Sequence, residues 1–370
     1  MGDIKLKKGT GILFVMAVLF ISSLIYLHYG DQNTLRVGIF YGSNWEVPGT
    51  VHYEILDQAI KKFESKYPNV KVEYEKGILS NDYSEWLSEQ ILKGTEPDVY
   101  LVLDEDFNTL ASLGALKNLD MLVGGDKEFD FNVFYSSVYK AGQYEGSQYA
   151  LPMECNPTLM FVNKTLLQKE GIKVPDNDWT WDDFYDICKT IVKDSDGDGQ
   201  MDQFGCYDYT WIQAVYSNGI TPFNQSGTSS NFLDEKFSQS LEFVKRLEAT
   251  NRNYQVTSND FDLGKVAFRP FTFSDYRTYM PYPWRIKKYS GFEWTCIRMP
   301  AGPSGDNRSE MSALMAGMSS RTEKKQCAWD FVKLLTTDTD IQKLVYEDTS
   351  AASVLKSVNT SQDTMNLLNK

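Results

Sequence analysis

The stretch YALPMECNPTLMFVNKTLLQKEGI, residues 149–172, contains both kinds of secondary structure from which the fold is built. Its apolar first part predicts a strand that begins at Tyr149. This strand is expected to be interrupted at Pro152, because proline has no backbone N–H to donate to a sheet. A second strand is predicted through Leu159 to Val162, and a helix begins near Lys164. The stretch therefore predicts two strands followed by a helix.

The segments on either side of this stretch alternate between strand and helix. Strands are predicted at residues 35–42, 70–77 and 97–104. Helices are predicted at residues 53–68, 82–94 and 180–194, where apolar side chains recur at helical spacing. The hydroxyl of Thr180 is a predicted N-cap for the third of these helices, accepting from the backbone N–H of Asp182 or Asp183. The alternation predicts an α/β fold with a parallel-type sheet.

The composition excludes several classes of function. The net charge is −13, which is unsuited to binding a phosphate backbone. His28 and His52 are too few for a zinc site or a histidine-based catalytic triad. The five cysteines lack CxxC spacing and are interpreted as mostly buried thiols, with one disulfide pair left open. A length of 370 residues suits two lobes, and 14% aromatic residues offer faces on which sugar rings can stack.

Residues 1–30 form a separate segment. Lys5, Lys7 and Lys8 precede an apolar run at 11–27, and basic residues before such a run keep that end inside the cell. The run has the length of a short membrane span. We expect an uncleaved N-terminal membrane anchor, with a cleaved secretory signal peptide as the alternative. Both interpretations place the rest of the chain outside the cytoplasm, at the extracellular face of the cell membrane or secreted.

The acidic loop DSDGDGQMDQFG, residues 194–205, has the spacing of a cation-binding loop. Asp194, Asp196, Asp198 and Asp202 take positions 1, 3, 5 and 9 of an EF-hand loop. Position 12 is Gly205, so the bidentate glutamate of an ordinary EF-hand is missing. Two interpretations remain open, a structural calcium site and a solvated, glycine-rich turn without tight metal binding.

Several motifs occur in an order that resembles a known family. They are LRVGIFYG, AIKKFESKYPNVKVEYEKG, TEPDVYLV, YALPMECNPTLMFVNKTLLQKEGI, TWDDFYDICKTI, WDFVKLLT and AASVLKSV. From about residue 35 to 358, their order and spacing resemble the extracellular solute-binding proteins of carbohydrate ABC importers, the family 1 group that includes maltose-binding protein. The resemblance implies an α/β, two-lobe, periplasmic-binding-protein-like fold of type II, with a central hinge and an interlobe cleft.

The resemblance also implies lobe boundaries and ligand-binding residues. Lobe one is expected at 35–145 plus 311–336, and lobe two at 147–309 plus 337–370. The implied ligand-binding residues follow predicted strands, mark the crossover between lobes or form aromatic cleft walls. They are Asn44, Trp45, Asp104, Glu105, Glu154, Asn156, Tyr209, Trp211, Tyr282 and Trp284. Purely structural roles remain open at several of these positions, such as a helix cap at Asp104, hinge turns at Glu154 and Asn156, and core packing at Trp211 and Trp284.

The implied function is an extracytoplasmic receptor. It would capture a carbohydrate, with an oligosaccharide as the leading expectation, and deliver it to the transmembrane permease subunits of an ABC transporter. No cofactor is required beyond the calcium considered above. Two alternatives stay open: a membrane-tethered sensor that partners a membrane kinase, and a binder of a non-sugar solute. Asp104 and Glu154 have the residue types of a glycosidase pair, but no acid/base motif accompanies them, so we expect no enzyme.

Overall fold

The computed structural model describes residues 33–45, 54–224, 226–252, 254–279 and 292–368. The predicted N-terminal segment and two predicted ligand residues, Tyr282 and Trp284, lie outside the described residues. Strands β1 to β11 are Thr34–Gly38, Lys71–Tyr74, Val99–Val102, Gln143–Tyr144, Ser147–Gln148, Ala150–Asn163, Phe204–Cys206, Val266–Thr272, Trp294–Ile297, Met311–Met318 and Ala352–Ser353.

The helices lie mainly between the strands. Helices α1 to α15 are Glu54–Lys66, Ser80–Lys93, Asp104–Ser112, Asp120–Gly125, Ser136–Ala141, Lys164–Lys169, Trp181–Ile191, Trp211–Ser217, Glu235–Glu248, Ser258–Asp262, Phe273–Tyr279, Lys325–Thr337, Thr339–Asp348, Lys356–Asn359 and Gln362–Leu368. Short 3-10 helices occur at Phe131–Val133 and Ala249–Asn251. In the part of the chain that the structure describes, no helix has both the length and the apolar character needed to cross a membrane.

A mixed sheet organises the molecule. Among the described residues, nine strands join in one sheet whose main path is β2-β1-β3-β10-β6-β8-β7, and β9 and β11 also pair with β6. The pairs β1–β2, β1–β3 and β7–β8 are parallel, and helices α1 and α2 make the crossovers between the first three strands. Strand β10 runs antiparallel to β3 and β6. The α/β prediction is confirmed, with antiparallel strands added at the centre of the sheet.

Strand β6 is one continuous strand, so the predicted interruption at Pro152 is wrong. Pro152 lies opposite Met315, at the point where the register of β10 shifts after Leu314. The ladder is irregular there, and an irregular position tolerates a residue without an N–H donor. The first half of β6 pairs with β10 and the second half with β8 and β9. One long strand therefore connects the two ends of the sheet.

Separate hydrophobic clusters cover the two ends of this sheet. The first contains Leu35, Phe63 and Trp329 and lies with β1, β3 and β10. The second contains Phe184 and Phe268 and lies with β8 and helices α7 and α9. Smaller clusters pack around Phe134 and Val354, and around Phe161 and Phe204. Each end of the sheet thus has its own core, with β6 passing between them.

Local sequence explains where one helix of the second end begins. Thr180 caps α7: its hydroxyl oxygen accepts from the backbone N–H of Asp183 at 3.3 Å. The carboxylate of Asp183 in turn accepts from the backbone N–H of Thr180 at 2.8 Å. This reciprocal pair satisfies two N–H groups that the first turn of a helix leaves without partners. The predicted cap at Thr180 is confirmed.

The C-terminal helices return to the first end of the sheet. Ile341 and Val345 of α13 belong to the first hydrophobic cluster. Lys62 of α1 lies 2.7 Å from Asp338 and 3.0 Å from Asp340, at the start of α13. The ion pairs of α13 and part of its apolar contacts are therefore made with the N-terminal part of the molecule.

Candidate ligand-binding cleft

A cavity of about 440 Å³ lies beside β6 at Met153 and Glu154. Polar side chains from four separate parts of the chain line it together with apolar residues of β1 and β3. The polar lining comprises Ser43, Asn44, Trp45, Glu154, Arg277, Thr278, Glu347, Asp348, Thr349 and Ser350. Three predicted ligand residues, Asn44, Trp45 and Glu154, are thus brought to one cavity.

A hydrogen bond joins two of these residues from distant parts of the sequence. The indole Nε1 of Trp45 donates to Oε2 of Glu154 at 3.0 Å, and both side chains are buried. Burial raises the pKa of Glu154 to about 7, although hydrogen bonds with Trp45 and Thr349 offset part of this effect. Near neutral pH this carboxyl group exists in both protonation states, so it is able to accept or donate a hydrogen bond to a ligand hydroxyl.

Arg277 places a guanidinium group in the same cavity. Its Nη2 donates to the backbone carbonyl of Tyr346 at 2.5 Å, and the group lies 5.7 Å from the centre of the Tyr346 ring. Its Nη1 is buried and has no hydrogen-bond partner among the described residues. Burial lowers the pKa of Arg277. Within the part of the chain that the structure describes, Arg277 therefore keeps one donor without a partner at this cavity.

Asn156 acts on the helix that carries Arg277. Its side chain is buried, and its Oδ1 accepts from the backbone N–H of Ser274 at 2.9 Å, in the first turn of α11. It does not line the cavity. Asn156 lies on β6, and its side chain holds α11 against this strand, which places Arg277 and Thr278 at the cavity.

A second polar group lies where β3 ends. Asp104 and Glu105 begin α3, and the charge of Asp104 acts on Tyr216 of α8. More than a third of Asp104 is exposed, yet the protein around its carboxyl group, together with Glu105 and Glu310, raises its pKa to about 6. Burial also raises the pKa of Glu310. Carboxyl groups from α3 and the start of β10 thus meet a tyrosine from the other end of the sheet.

The two aromatic residues predicted near β7 have different environments. Tyr209 is buried, and its hydroxyl accepts from Nε1 of Trp181 at 3.2 Å. Its ring makes an edge contact with Phe184 at 5.1 Å, inside the second hydrophobic cluster. Trp211 is 38% exposed at the start of α8. Burial does not support a sugar-stacking role for Tyr209, whereas Trp211 keeps an accessible face.

Sequence reasoning missed Arg277, Thr278, Glu310 and Tyr216 as ligand-site residues. None of them belongs to a motif, and each reaches the site through strand pairing or helix packing between distant segments. The one available signal was the aromatic and arginine content around residue 277, which is compatible with a surface location as well.

The acidic loop keeps only part of its predicted cation geometry. Carboxylate oxygens of Asp194, Asp196 and Asp202 lie within 4.8 Å of one another, and Asp198 is not part of this group. The carboxylate of Asp194 accepts from the backbone N–H groups of Gly197 at 2.6 Å and Gly199 at 2.7 Å. The chemistry of three convergent carboxylates fits a hard divalent cation.

Comparison with known proteins identifies the family. Residues 48–341 match the family described as bacterial extracellular solute-binding protein. The multiple sugar-binding protein of Streptococcus mutans serotype c is 28% identical over 138 residues. That match covers 37% of this chain and about 30% of the length of the curated relative.

Solved structures of low sequence identity share the fold. The sugar-binding protein MalE from Xanthomonas citri superimposes with a TM-score of 0.70 at 17% identity, covering 90% of this chain and 82% of that chain. An ABC substrate-binding protein from Listeria monocytogenes, solved in complex with cycloalternan, gives a TM-score of 0.62 at 21% identity with the same coverage. These similarities confirm the predicted two-lobe fold with a central hinge and an interlobe cleft. The chain belongs to the family of bacterial extracellular solute-binding proteins.

Proposed function

We propose that this protein is a non-enzymatic extracytoplasmic receptor that captures a carbohydrate between its lobes and delivers it to an ABC transporter permease. One observation carries the proposal: the cavity beside the crossover strand combines an indole, a carboxyl group, an amide and a guanidinium whose Nη1 has no partner among the described residues. Sugars present both apolar ring faces and hydroxyl groups, and this mixture of apolar and polar contacts matches them. The sugar-binding names of the Streptococcus mutans relative and the Xanthomonas citri protein support the same class of ligand.

The proposal divides the chain into lobes at β6 and β10. Residues 35–145 and 311–336 form lobe one, residues 147–309 form lobe two, and the two long strands act as the hinge. The contacts of α13 with α1 support placing residues 339–348 with lobe one instead of lobe two. Hinge closure would select the liganded form for docking to the permease.

Each predicted ligand residue receives a role from its environment. Asn44, Trp45 and Glu154 bind the ligand at the hinge side of the cleft. Asp104 and Glu105 accept hydrogen bonds from sugar hydroxyls at the outer side of the cleft, and Trp211 stacks on a ring from lobe two. Tyr282 and Trp284 lie outside the described residues, and a role at the opposite cleft wall remains a prediction for them.

The proposal assigns residues 1–30 to membrane attachment or secretion. The family is extracellular by its description, which requires export of the chain. An apolar run after three lysines provides either an anchor that keeps the receptor beside the permease or a signal that is removed.

The acidic loop is proposed as a structural calcium site formed by Asp194, Asp196 and Asp202. Calcium would neutralise the repulsion among these carboxylates and stabilise the folded chain. Calcium at about 1 mM, a concentration in the Kd range of extracellular calcium-binding modules, should raise the thermal unfolding temperature of the wild type. The variant Asp196→Asn should lose this increase, and Asp182→Asn, an exposed aspartate on α7, should retain it.

The receptor proposal is tested by thermal unfolding of the full chain against a panel of mono- and oligosaccharides. A ligand at a hundred times its Kd adds about 2.7 kcal/mol to the unfolding free energy, which moves the Tm by several degrees. We expect a shift with one class of saccharide. If no saccharide shifts a cooperative transition, the proposal is wrong and a non-sugar solute becomes the leading alternative.

A matched pair of variants locates the binding. Asn44→Ala removes a half-buried amide from the cavity, whereas Asn366→Ala removes an exposed amide from α15. The first variant should lose most of the ligand-induced shift while keeping its own unfolding temperature. Equal shifts in both variants would place the ligand outside the cavity.

A further inference from the structure

Residues 219–233, GITPFNQSGTSSNFL, have an unusual composition for this chain. Charged residues make up 24% of the protein, yet this stretch contains none. Its polar residues are hydroxyl and amide side chains, and its large residues include Phe223 and Phe232. Surfaces that bind charged partners carry complementary charge, so this composition points to an uncharged polar ligand.

The two phenylalanines of this stretch lie on the surface and connect to the exposed Trp211 through the buried ring of Phe237. Phe223 is 50% exposed and Phe232 is 44% exposed, and their ring centres are 5.4 Å apart. Phe232 lies 5.0 Å from Phe237, which in turn lies 5.7 Å from Trp211. We call the four residues Trp211, Phe223, Phe232 and Phe237 the aromatic shelf. Its accessible rings are held in place by one another and by α9.

Hydroxyl and amide groups hold the loop that carries the shelf. Phe223 forms an isolated β-bridge with Ser230. The side-chain Oδ1 of Asn224 accepts from the backbone N–H of Thr228 at 2.8 Å. The side chain of Asn231 donates to the backbone carbonyl of Thr221 at 2.9 Å. The loop is therefore a structured hairpin in the described residues.

The hairpin reaches the other lobe at the cleft. At its tip, a Cβ added to Gly227 would lie 3.5 Å from Nδ2 of Asn108. Asn108 is on α3, one turn after Asp104, and its Oδ1 is buried without a hydrogen-bond partner among the described residues. The shelf is thus continuous with the outer side of the proposed cleft, and an unsatisfied acceptor lies where the two meet.

We propose that the aromatic shelf is an accessory saccharide-binding surface that holds the outer sugar units of an oligosaccharide extending from the cleft past Asn108. Exposed rings take the apolar faces of pyranose units, and the adjacent hydroxyl and amide groups pair with their hydroxyls. This inference rests on the proposed function and adds a preference for longer chains to it. Short saccharides occupy only the cleft, whereas longer ones also contact the aromatic shelf.

The test measures chain-length preference by isothermal titration of the full chain. The probes are a disaccharide and a hexasaccharide of the α-1,4-glucan series and of the β-1,4-mannan series. The wild type should bind one hexasaccharide at least about fivefold more tightly than its disaccharide, the effect of one ring contact. The double variant Phe223→Ser/Phe232→Ser should lose this ratio and keep the disaccharide affinity. Leu233→Ser, which changes a fully exposed neighbour outside the aromatic shelf, should behave as the wild type.

The outcomes separate the two proposals. A hexasaccharide advantage that survives in the double variant, or that is absent from the wild type while the disaccharide binds, overturns the shelf and leaves the cleft intact. Absence of binding by every probe overturns the carbohydrate receptor and the shelf with it. Loss of disaccharide affinity in the double variant also contradicts the shelf, because these rings should not contact a ligand confined to the cleft.

Discussion

The hinge-side cavity and the outer cleft each contain a carboxyl group whose pKa is raised mainly by burial, but only the one in the outer cleft is also raised by neighbouring carboxylates. Glu154 in the cavity is buried, and its pKa of about 7 results from the loss of hydration. Asp104 in the outer cleft remains partly exposed. Its pKa of about 6 results first from loss of hydration at the carboxyl group and then from the charges of Glu105 and Glu310.

This difference separates a packed region from a responsive one. Glu154 is buried and held by Trp45, so salt changes its surroundings little. Asp104 is partly exposed and feels the charges of Glu105 and Glu310, so salt alters its surroundings. At about 0.1 to 0.15 M salt, interactions between exposed charges more than about 8 to 10 Å apart are largely screened, whereas interactions of buried groups are screened far less. Stability measurements should therefore distinguish the two regions.

The largest expected effect is the loss of the buried indole of Trp45. Trp45→Ala should lower the free energy of unfolding by about 3–5 kcal/mol, because the change leaves a cavity in the first hydrophobic cluster and removes the donor to Glu154. Urea unfolding followed by circular dichroism gives this value. Trp211→Ala is the matched control and should change stability by less than about 1 kcal/mol, because this indole is 38% exposed. Equal losses would mean that the two sites do not differ in packing.

The next effect concerns the titration of Glu154. Its pKa rises from 4.5 to about 7 on folding, so the folded state holds a proton more tightly than the unfolded state. Stability from this group is present below pH 4.5 and is lost as the pH rises towards 7, by about 3 kcal/mol. Glu154→Gln keeps an oxygen that can accept from Trp45 and removes the titration. The variant should show less loss of unfolding free energy than the wild type between pH 4.5 and 7.

Glu347→Gln provides the control for this pH dependence. Glu347 lines the same cavity but is exposed, so its replacement should leave the slope of stability against pH close to that of the wild type. A wild-type slope that persists in Glu154→Gln would show that Glu154 is ionised in the folded protein and that the cavity is open to water.

The sequence predicted the features that depend on neighbouring residues. The alternation of strand and helix, the cap at Thr180 and the candidate positions of Trp45 and Glu154 all follow from local patterns or from the family resemblance. The hydrogen bond between Trp45 and Glu154 joins residues 109 positions apart, so no local pattern contains it. Pro152 was misjudged for the same reason, because the irregularity that accommodates it lies in β10.

Aromatic side chains show a second limit of sequence reasoning. Tyr209 and Trp211 are two positions apart in the same motif, yet one is buried against Phe184 and the other is accessible. Their exposure depends on how α8 packs on α9, and this packing cannot be predicted from the sequence of the motif alone. The aromatic content of the sequence indicates that rings are available to contact a ligand. Which of these rings remain accessible depends on the packing of the folded chain.

The smallest expected effect is the one that most sharply separates the two carboxyl groups. Asp104 has a raised folded pKa, so its contribution to stability is also lost as the pH rises, here from about pH 4 to about 6. Because the residue is partly exposed, the loss should stay below about 1 kcal/mol. Asp104→Asn should therefore flatten the stability profile slightly in this lower range. In 1 M salt the difference between wild type and Asp104→Asn should shrink in part, because the repulsion from Glu105 and Glu310 is screened while desolvation is not. The Glu154→Gln difference should persist in full, because no neighbouring carboxylate contributes to it. Equal salt sensitivity of both differences would place the two carboxyl groups in one environment and remove the distinction between a packed hinge side and a responsive outer cleft.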